Sequence, residues 1–283
     1  MKISIVVRTH NDIPYIAQTL QCLQNQQIDA ETEIMIIDNE STDGTSGVVR
    51  RLNSGGINLE WPAGGYVPGK VLNFAVSRCS GDYIVFNNAD SVPQNEHYLS
   101  ALLRPLLDGS AQIVYAQQIP RKDARPLIRK DYRRAFGDGS VARTWRHFFS
   151  IAAAAAPRKL LTDHPFREDL QYSEDVEWSW RMKQQGCRIA YAEDATVEHS
   201  HNYDLKQTAK RFYNEGIADA MIFRAPCGFF GTFLLPLCLE LLRDISFLFR
   251  EHDLADAPYE LTFRILQRWN HYRGYRRGES CRE

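Results

Sequence analysis

The chain has 283 residues, 44% of them hydrophobic, enough to bury a sizeable core in one large α/β domain or in one domain with a small appendage. Its 34 Lys and Arg against 35 Asp and Glu leave a net charge of -1, so no overall field draws in nucleic acid and a DNA or RNA partner is not expected. The six cysteines, Cys22, Cys79, Cys187, Cys227, Cys238 and Cys281, are scattered without a C-x-x-C pair, which points away from a zinc site or a dense disulfide framework and toward buried free thiols.

Ile3 to Val7 reads as a buried first strand, and this apolar run before Arg8 is too short for a signal peptide, so a cytoplasmic location is expected. Pro14 suits the first turn of a helix whose Ile16, Leu20 and Leu23 share one face. A second strand is expected at Glu33 to Ile37. Asp38 to Gly44, rich in Asp, Asn, Ser, Thr and Gly, marks a loop whose side chains bond backbone amides. A third strand at Ile57 to Trp61 leads through the turn-rich Pro62 to Gly69 into a helix from Lys70 to Arg78. The next strand, Tyr83 to Phe86, ends in Asn87-Asn88-Ala89-Asp90, so polar groups lie at the carboxyl end of a strand, where open α/β sheets place their ligands.

Asn95 to Leu107 carries Leu99, Leu102, Leu103 and Leu106 on a helical face, and Gln112 to Gln117 resumes strand character. Arg121 to Arg146, with many basic residues and Gly137 and Gly139, reads as an exposed loop. After a compact run at Phe148 to Ala156 come a helix from about Glu174 to Gln185, strands near Arg188 to Tyr191 and Thr196 to His199, and a helix over Asp204 to Phe223. The alternation predicts a mainly parallel sheet covered by helices. Ala225 to Leu239 is uncharged, but Pro236 interrupts it and Glu240 ends it, short of a bilayer span. Beyond it Leu237, Leu241, Ile245 and Leu248 form an apolar stripe, and the residues from Arg264 onward hold six Arg against two Glu.

Four polar segments stand out in order: Thr9 to Asn11, the Asp38 loop, Asn88-Ala89-Asp90, and Ser173-Glu174-Asp175. Asp90 follows a buried strand, where a carboxylate oxygen suits Mg or Mn bridging a diphosphate; capping of the turn before Pro93 explains it equally well. Asp38 either accepts bonds from a nucleobase or ribose or is an ordinary loop carboxylate. Glu174 and Asp175 lie at a helix start with Ser173 as N-cap, where the helix dipole alone favours acids. Glu177 and Arg181, four apart, read as a surface ion pair.

His199 and His201 flank Ser200, so in a strand both imidazoles point to one side and approach one ion, or both are structural. Lys70 and Arg8 are candidates to neutralise phosphate charge. Trp145, Trp178 and Trp180 either stack on a sugar ring or pack in the core. A base that takes a proton from an acceptor hydroxyl is best supplied by a carboxylate, and Asp175 is the candidate. Fingerprints of dinucleotide oxidoreductases, P-loop enzymes and serine hydrolases do not occur.

Together these segments resemble the family 2 glycosyltransferases, and within them the bacterial rhamnosyltransferase-like proteins. Ile3 to Asn11 looks like their opening strand, and Ile36 to Thr45 looks like their nucleotide-binding loop. Gly81 to Asp90 is similar to the strand ending in a D-x-D metal motif. Ser173 to Glu177 matches the place of the catalytic Asp, and Val197 to Tyr203 resembles a histidine motif. The resemblance implies a GT-A fold over residues 1-225, divided into a nucleotide-binding half to about 120 and an acceptor half, with a helical extension at 226-283.

It further implies an inverting transfer from a nucleotide-diphosphate sugar to a glycan or lipid-linked acceptor, with divalent Mg or Mn on Asp90 and His199 and with Asp175 as base. Arg8, Thr9, Asn11, Asp38, Lys70, Asn88, Ala89, Glu174 and His201 then line the nucleotide-sugar site. Asn88 departs from the pattern, standing where the first Asp of D-x-D usually lies. Two other classes stay open, an inactive nucleotide-sugar or glycan binding protein and a sugar nucleotidyltransferase. The Arg-rich tail suits peripheral contact with the inner face of a membrane, or a helical cap, or a contact between copies.

Overall fold

The computed structural model describes residues 1-53, 55-61, 65-138 and 147-280. The chain divides into two compact units: one of Met1-Arg121, Ala135-Asp169 and Glu174-His199, the other of Lys122-Arg134, Leu170-Ser173 and Ser200-Glu283.

The first unit holds an eight-stranded sheet: β1 (Lys2-Thr9), β2 (Glu31-Asp38), β3 (Ile57-Glu60), β4 (Tyr83-Asn87), β5 (Val92-Pro93), β6 (Ile113-Ile119), β7 (Ala153-Pro157) and β8 (Ile189-Glu198), in the order β3-β2-β1-β4-β7-β6-β8-β5. The half containing β3, β2, β1 and β4 is parallel throughout, as the alternating pattern predicts. The other half is mixed, because β7 runs antiparallel to both β4 and β6, and β5 runs antiparallel to β8. The two expected strands near 188 and 196 are one strand, whose register against β6 shifts between Ala116 and Gln117.

Buried on both faces, β1 and β2 contribute Ile3, Ile5, Val7, Ile34 and Ile36 to the main core. Helix α1 (Ile13-Gln24) adds Ile16, Leu20 and Leu23 from the stripe read in the sequence, and α4 (Tyr98-Leu107) adds Leu99, Leu102, Leu103 and Leu106. Helices α2 (Thr45-Leu52) and α3 (Pro68-Arg78) follow β2 and β3. Gly81 has a local reason: a Cβ there would lie 2.5 Å from the Ser4 backbone nitrogen, and its own N-H donates to the Ser4 hydroxyl at 2.8 Å.

Residues 121-146 differ from the loop expected for them. Pro126-Phe136 is a helix, α5, whose Leu127 is fully buried with Phe247 and Phe263. Its charges dominate the composition, yet its helical spacing is real. Gly139 to Arg146, with Trp145, lie outside the described residues. Helix α6 (Arg158-Asp163) follows β7, and α7 (Glu174-Gln184) carries the acidic segment.

The second unit consists of α5's first nine residues, α8 (Leu205-Phe223), α9 (Leu235-Glu251) and α10 (Ala257-Ser280), with a π-helical turn at Phe229-Leu234 and a short turn at Leu254-Asp256. Asp204 caps α8 reciprocally with Gln207. Gly274 allows α10 to approach α8, since a Cβ there would meet the Tyr213 carbonyl at 1.9 Å. None of the helices among the described residues is long and apolar enough to cross a membrane. The five described cysteines are unpaired, but only Cys79 is buried and Cys238 is exposed, so the expectation of buried thiols holds for one of them.

Candidate active site

The parallel strands end together, and the polar motifs collect at those ends. Thr9 on β1 is in register with Asp38 on β2, and the Asn39 N-H donates to the Thr9 carbonyl at 2.9 Å. Asp38 is buried, accepts from the Ser41 N-H at 3.1 Å, and takes a short bond from the Ser46 hydroxyl. Asn11 fixes the same loop by accepting from the Thr42 N-H at 2.8 Å. It adopts a left-handed φ of 58°, and Glu40 and Ser173 do so at 55° and 58°. Non-glycine residues held there concentrate at functional turns. Ser173 therefore lacks the extended backbone usual for the N-cap expected of it.

Beside that loop, β4 delivers Asn88, Ala89 and Asp90. Ala89 is fully buried, with its N-H donating to the Arg8 carbonyl at 3.0 Å and its own carbonyl accepting from Thr19 at 2.7 Å. These bonds lock the turn that presents its neighbours. The Arg8 guanidinium then joins two motifs that are far apart in the chain. It donates to Asn88 Oδ1 at 3.3 Å, to Glu174 Oε1 at 3.2 Å and to the Tyr66 hydroxyl at 3.3 Å. Arg8 was expected to face phosphate; in this structure it is paired with Glu174.

Asp175 follows Glu174 and is tethered by backbone donors, with Oδ2 accepting from the Ile151 N-H at 3.0 Å and Oδ1 from the Val176 N-H at 2.8 Å. Burial pushes its carboxyl above the ordinary range, opposed by those two bonds and by the Arg8 charge. Glu174 is raised too, first by burial and then by the Asp175 charge, against the attraction of Arg8. A carboxyl raised in this way is matched to proton transfer nearer neutral pH than an exposed Asp would be.

Asp90 is buried, and its Oδ2 lies 3.5 Å from Nε2 of His199, which follows directly on β8. His199 Nδ1 sits 2.9 Å from Gln118 Oε1, and the Gln118 amide nitrogen donates to Ser150 at 2.8 Å. With the amide so oriented, Nδ1 donates to Gln118 Oε1 and Nε2 faces the carboxylate. A neutral imidazole nitrogen beside a carboxylate oxygen is a donor set that fits a divalent cation, with Gln118 as the outer partner that fixes the imidazole. The Arg121 guanidinium donates to the Asp90 carbonyl and stacks on the Tyr15 ring, 3.9 Å from its centroid.

Several residues belong to this site without having been singled out in the sequence. Asp12 accepts from Thr9 Oγ1 and the His10 N-H, each at 2.9 Å, and its carboxyl is raised by burial and then by the Asp90 charge. Gln118 and Arg121 lie in the stretch Gln117 to Arg121, which the sequence marks by its likeness to a stretch of the rhamnosyltransferase-like branch, without a role for either residue. Their role arises from pairing of β6 with β8 and the turn beyond. Lys70 is exposed in the first turn of α3, and no hydrogen bond among the described residues joins it to this set. His201 belongs to the second unit, where its ring stacks on Tyr203 with centroids 5.1 Å apart.

The remaining candidates resolve simply. Trp178 is core, donating to the His164 carbonyl at 2.6 Å and packing on Phe166, whereas Trp180 is half-buried against His147. Glu177 and Arg181 do pair, at 3.0 Å, but Glu177 is buried rather than at the surface.

Residues 4-166 match the model of "Glycosyl transferase family 2", more than half of the chain. The chain belongs to this glycosyltransferase family. Among curated relatives, the O-antigen chain rhamnosyltransferase WbaN of Salmonella anatum is 27% identical over 69% of this chain and 65% of its own. The rhamnosyltransferase RfbN of Salmonella typhimurium is 25% identical over 78% of this chain and 73% of its own. This family 2 chain thus spans somewhat less than two thirds of the WbaN length.

Among solved structures, a mannosyltransferase from Pyrobaculum calidifontis, in complex with GDP-Man and Mn2+, superposes with a TM-score of 0.67 at 18% identity, over 99% of this chain and 88% of that one. Glucosyl-3-phosphoglycerate synthase from Mycobacterium tuberculosis superposes with a TM-score of 0.57 at 21% identity, over 78% of this chain and 80% of that one. Both likenesses concern the fold, and they confirm the GT-A-like α/β architecture with a helical C-terminal region.

Proposed function

We propose that this family 2 protein is an inverting, metal-dependent glycosyltransferase that moves a sugar from a nucleotide-diphosphate donor to a glycan or lipid-linked acceptor in bacterial surface or exopolysaccharide synthesis. The two rhamnosyltransferase relatives favour rhamnose as the sugar. The catalytic part is residues 1-225, with 226-283 as its extension. The reading is supported by Asp90 and His199, 3.5 Å apart where β4 and β8 end, and by a half-buried, raised Asp175 on α7 whose neighbour Glu174 shares Arg8 with Asn88, all within one unit.

In this reading the Asp38 and Asn11 loop holds the nucleoside, and Asn88 and Arg8 orient the sugar-diphosphate end. Asp90 and His199 hold Mg or Mn. When bound, such an ion stabilises negative charge on the departing diphosphate. Asp175 accepts the acceptor hydroxyl proton at its Oδ atoms, while the Ile151 and Val176 N-H groups keep the carboxylate aimed. Glu174 holds Arg8 in place and keeps the guanidinium charge near Asp175. Asn88 suffices where an Asp is usual, since its Oδ1 still accepts a hydrogen bond, as it does from Arg8.

The test is metal and donor binding followed by turnover. Titration calorimetry with Mn2+ in the presence of nucleoside diphosphates should show binding that His199→Ala weakens at least tenfold, roughly the scale of disturbing a metal's ligand shell. A screen of nucleotide sugars should show Mn2+-dependent donor hydrolysis. Unchanged Mn2+ affinity in His199→Ala would remove His199 from the metal site. Tight donor binding with no turnover on any acceptor would favour the inactive binding protein.

A further inference from the structure

Helix α9 is built inside out. A surface helix of a water-soluble domain ordinarily turns its apolar stripe inward and its charges to solvent. Here the acids Glu240 and Asp244 are 3% and 0% exposed, facing Lys130, Arg134, Arg264 and Arg268 within the second unit. Leu235, Leu239, Leu242 and Phe249, whose spacing returns to one side of the helix, face outward, with Leu242 67% exposed. Phe230, 74% exposed, extends the apolar surface on the preceding turn. The stripe expected from the sequence, Leu237, Leu241, Ile245 and Leu248, does not describe this helix, because Leu237 and Leu248 are buried while Ile245 is exposed.

Arg243 and Arg250 lie seven residues apart, so they share one side of α9, and both are exposed. The two acids that precede Glu251 on this helix are the two turned inward. Through residue 250, then, the outward face offers large apolar groups, the small Cys238 and Ser246, and cationic charge, with no exposed carboxylate. The same face of a second copy would bring like cations, and the exposed acid that ends the helix, Glu251, is already paired with Arg133 at 2.9 Å. An anionic bilayer supplies both complements, hydrocarbon for the Leu and Phe side chains and headgroup charge for the arginines.

We propose that the outward face of α9, with Phe230, docks this protein on an anionic lipid bilayer, lying in the headgroup region rather than crossing it. The inference stands apart from the proposed sugar transfer, since it concerns a surface in the second unit and is read without a substrate.

The experiment is co-sedimentation of the full chain with vesicles of phosphatidylcholine alone or mixed equally with phosphatidylglycerol, run beside light scattering without lipid. The expected result is binding to the mixed vesicles, weaker binding to the neutral ones, and release by salt. Leu242→Glu with Phe249→Glu should lower partitioning at least tenfold, and Arg243→Gln and Arg250→Gln should lower it on the order of fivefold each. Leu242, Phe249 and Arg250 are exposed and stand outside the Glu240 ion-pair cluster, so in those variants melting temperature and Mn2+-dependent donor hydrolysis should stay at wild-type values. That separates loss of docking from loss of fold or of activity. Failure to bind mixed vesicles, or binding indifferent to the double Glu variant, would overturn the proposal. So would a dimer in solution that this variant converts to monomer, because a second copy would then be what covers the face.

Discussion

Around Arg8, two acids share one guanidinium, and burial carries both Glu174 and Asp175 above the usual carboxyl range. Around Glu240 the proportion is reversed. Burial again pushes its carboxyl up, but Arg134 at 2.6 Å, then the charges of Arg268 at 3.3 Å and of Arg264, hold it down at about 2. Each cluster centres on a buried glutamate, Glu174 or Glu240, and is built from the same residue types. What differs is how many cations each carboxylate has, and that decides whether the carboxyl is raised above its ordinary range or held well below it. A surplus of acid marks a group able to do proton chemistry, and a surplus of cation marks a scaffold.

The largest expected effect is at the acid-rich cluster. Asp175→Asn should lower turnover by roughly 100- to 10,000-fold, the range of general-base catalysis, with donor affinity retained. Near wild-type product formation would remove Asp175 as the base. The same variant should melt higher than the wild type. A raised carboxyl binds its proton more tightly in the folded state, so ionising it costs stability as pH rises through the folded value, and Asn avoids that cost. The gain in melting temperature should grow as pH rises from the ordinary Asp value through the raised folded one. For the wild type, turnover should increase with pH on an acid limb lying above the ordinary carboxylate range; a limb at the ordinary Asp position would contradict the raised carboxyl.

The cation-rich cluster should behave in the opposite sense. Glu240→Gln leaves Arg134 and its neighbours short of a counter-charge, and breaking a buried pair of this kind costs about 3-5 kcal/mol. The measurement is denaturant unfolding at neutral pH. Because the Glu240 carboxyl is depressed, its contribution is fully present above the unfolded value and is lost as pH falls toward about 2, so the difference between wild type and variant should shrink in acid. A difference independent of pH would show that packing, not charge, is what Glu240 supplies.

The smallest effect sharpens the comparison with a third carboxylate, held down mainly by hydrogen bonds. Burial of Glu33 opposes ionisation, but bonds from the Ser4 hydroxyl, the Ser80 N-H and hydroxyl, and Lys2 bring it to about 2. Glu33→Gln should cost about 1 kcal/mol, the net value of an ordinary hydrogen bond, and should leave donor hydrolysis unchanged. A loss as large as that of Glu240→Gln would mean that cation number is not the controlling variable.

The parallel half of the sheet was legible because fully buried strands and the amphipathic helices α1 and α4 leave local patterns, Ile3 to Val7 and Leu99 to Leu106 among them. The polar residues at strand ends were legible for the same reason, since Asp38 and Asp90 stand where an apolar run stops. Helix α5 was not, because a helix dense in Arg and Lys looks like a loop when the buried acids that receive those charges, Glu240 and Asp244, are over a hundred residues away.

By itself, then, the sequence determined most element types over the first hundred residues, α2 and β5 excepted, and the order of the four polar motifs, both of which rest on near-neighbour spacing. Only the tertiary structure decided that Arg8 belongs to Glu174, that Gln118 orients His199, and that α9 turns its acids inward. Each of these depends on which partners arrive from distant segments, and the free energy of a buried charge is set by those partners rather than by its neighbours in the chain.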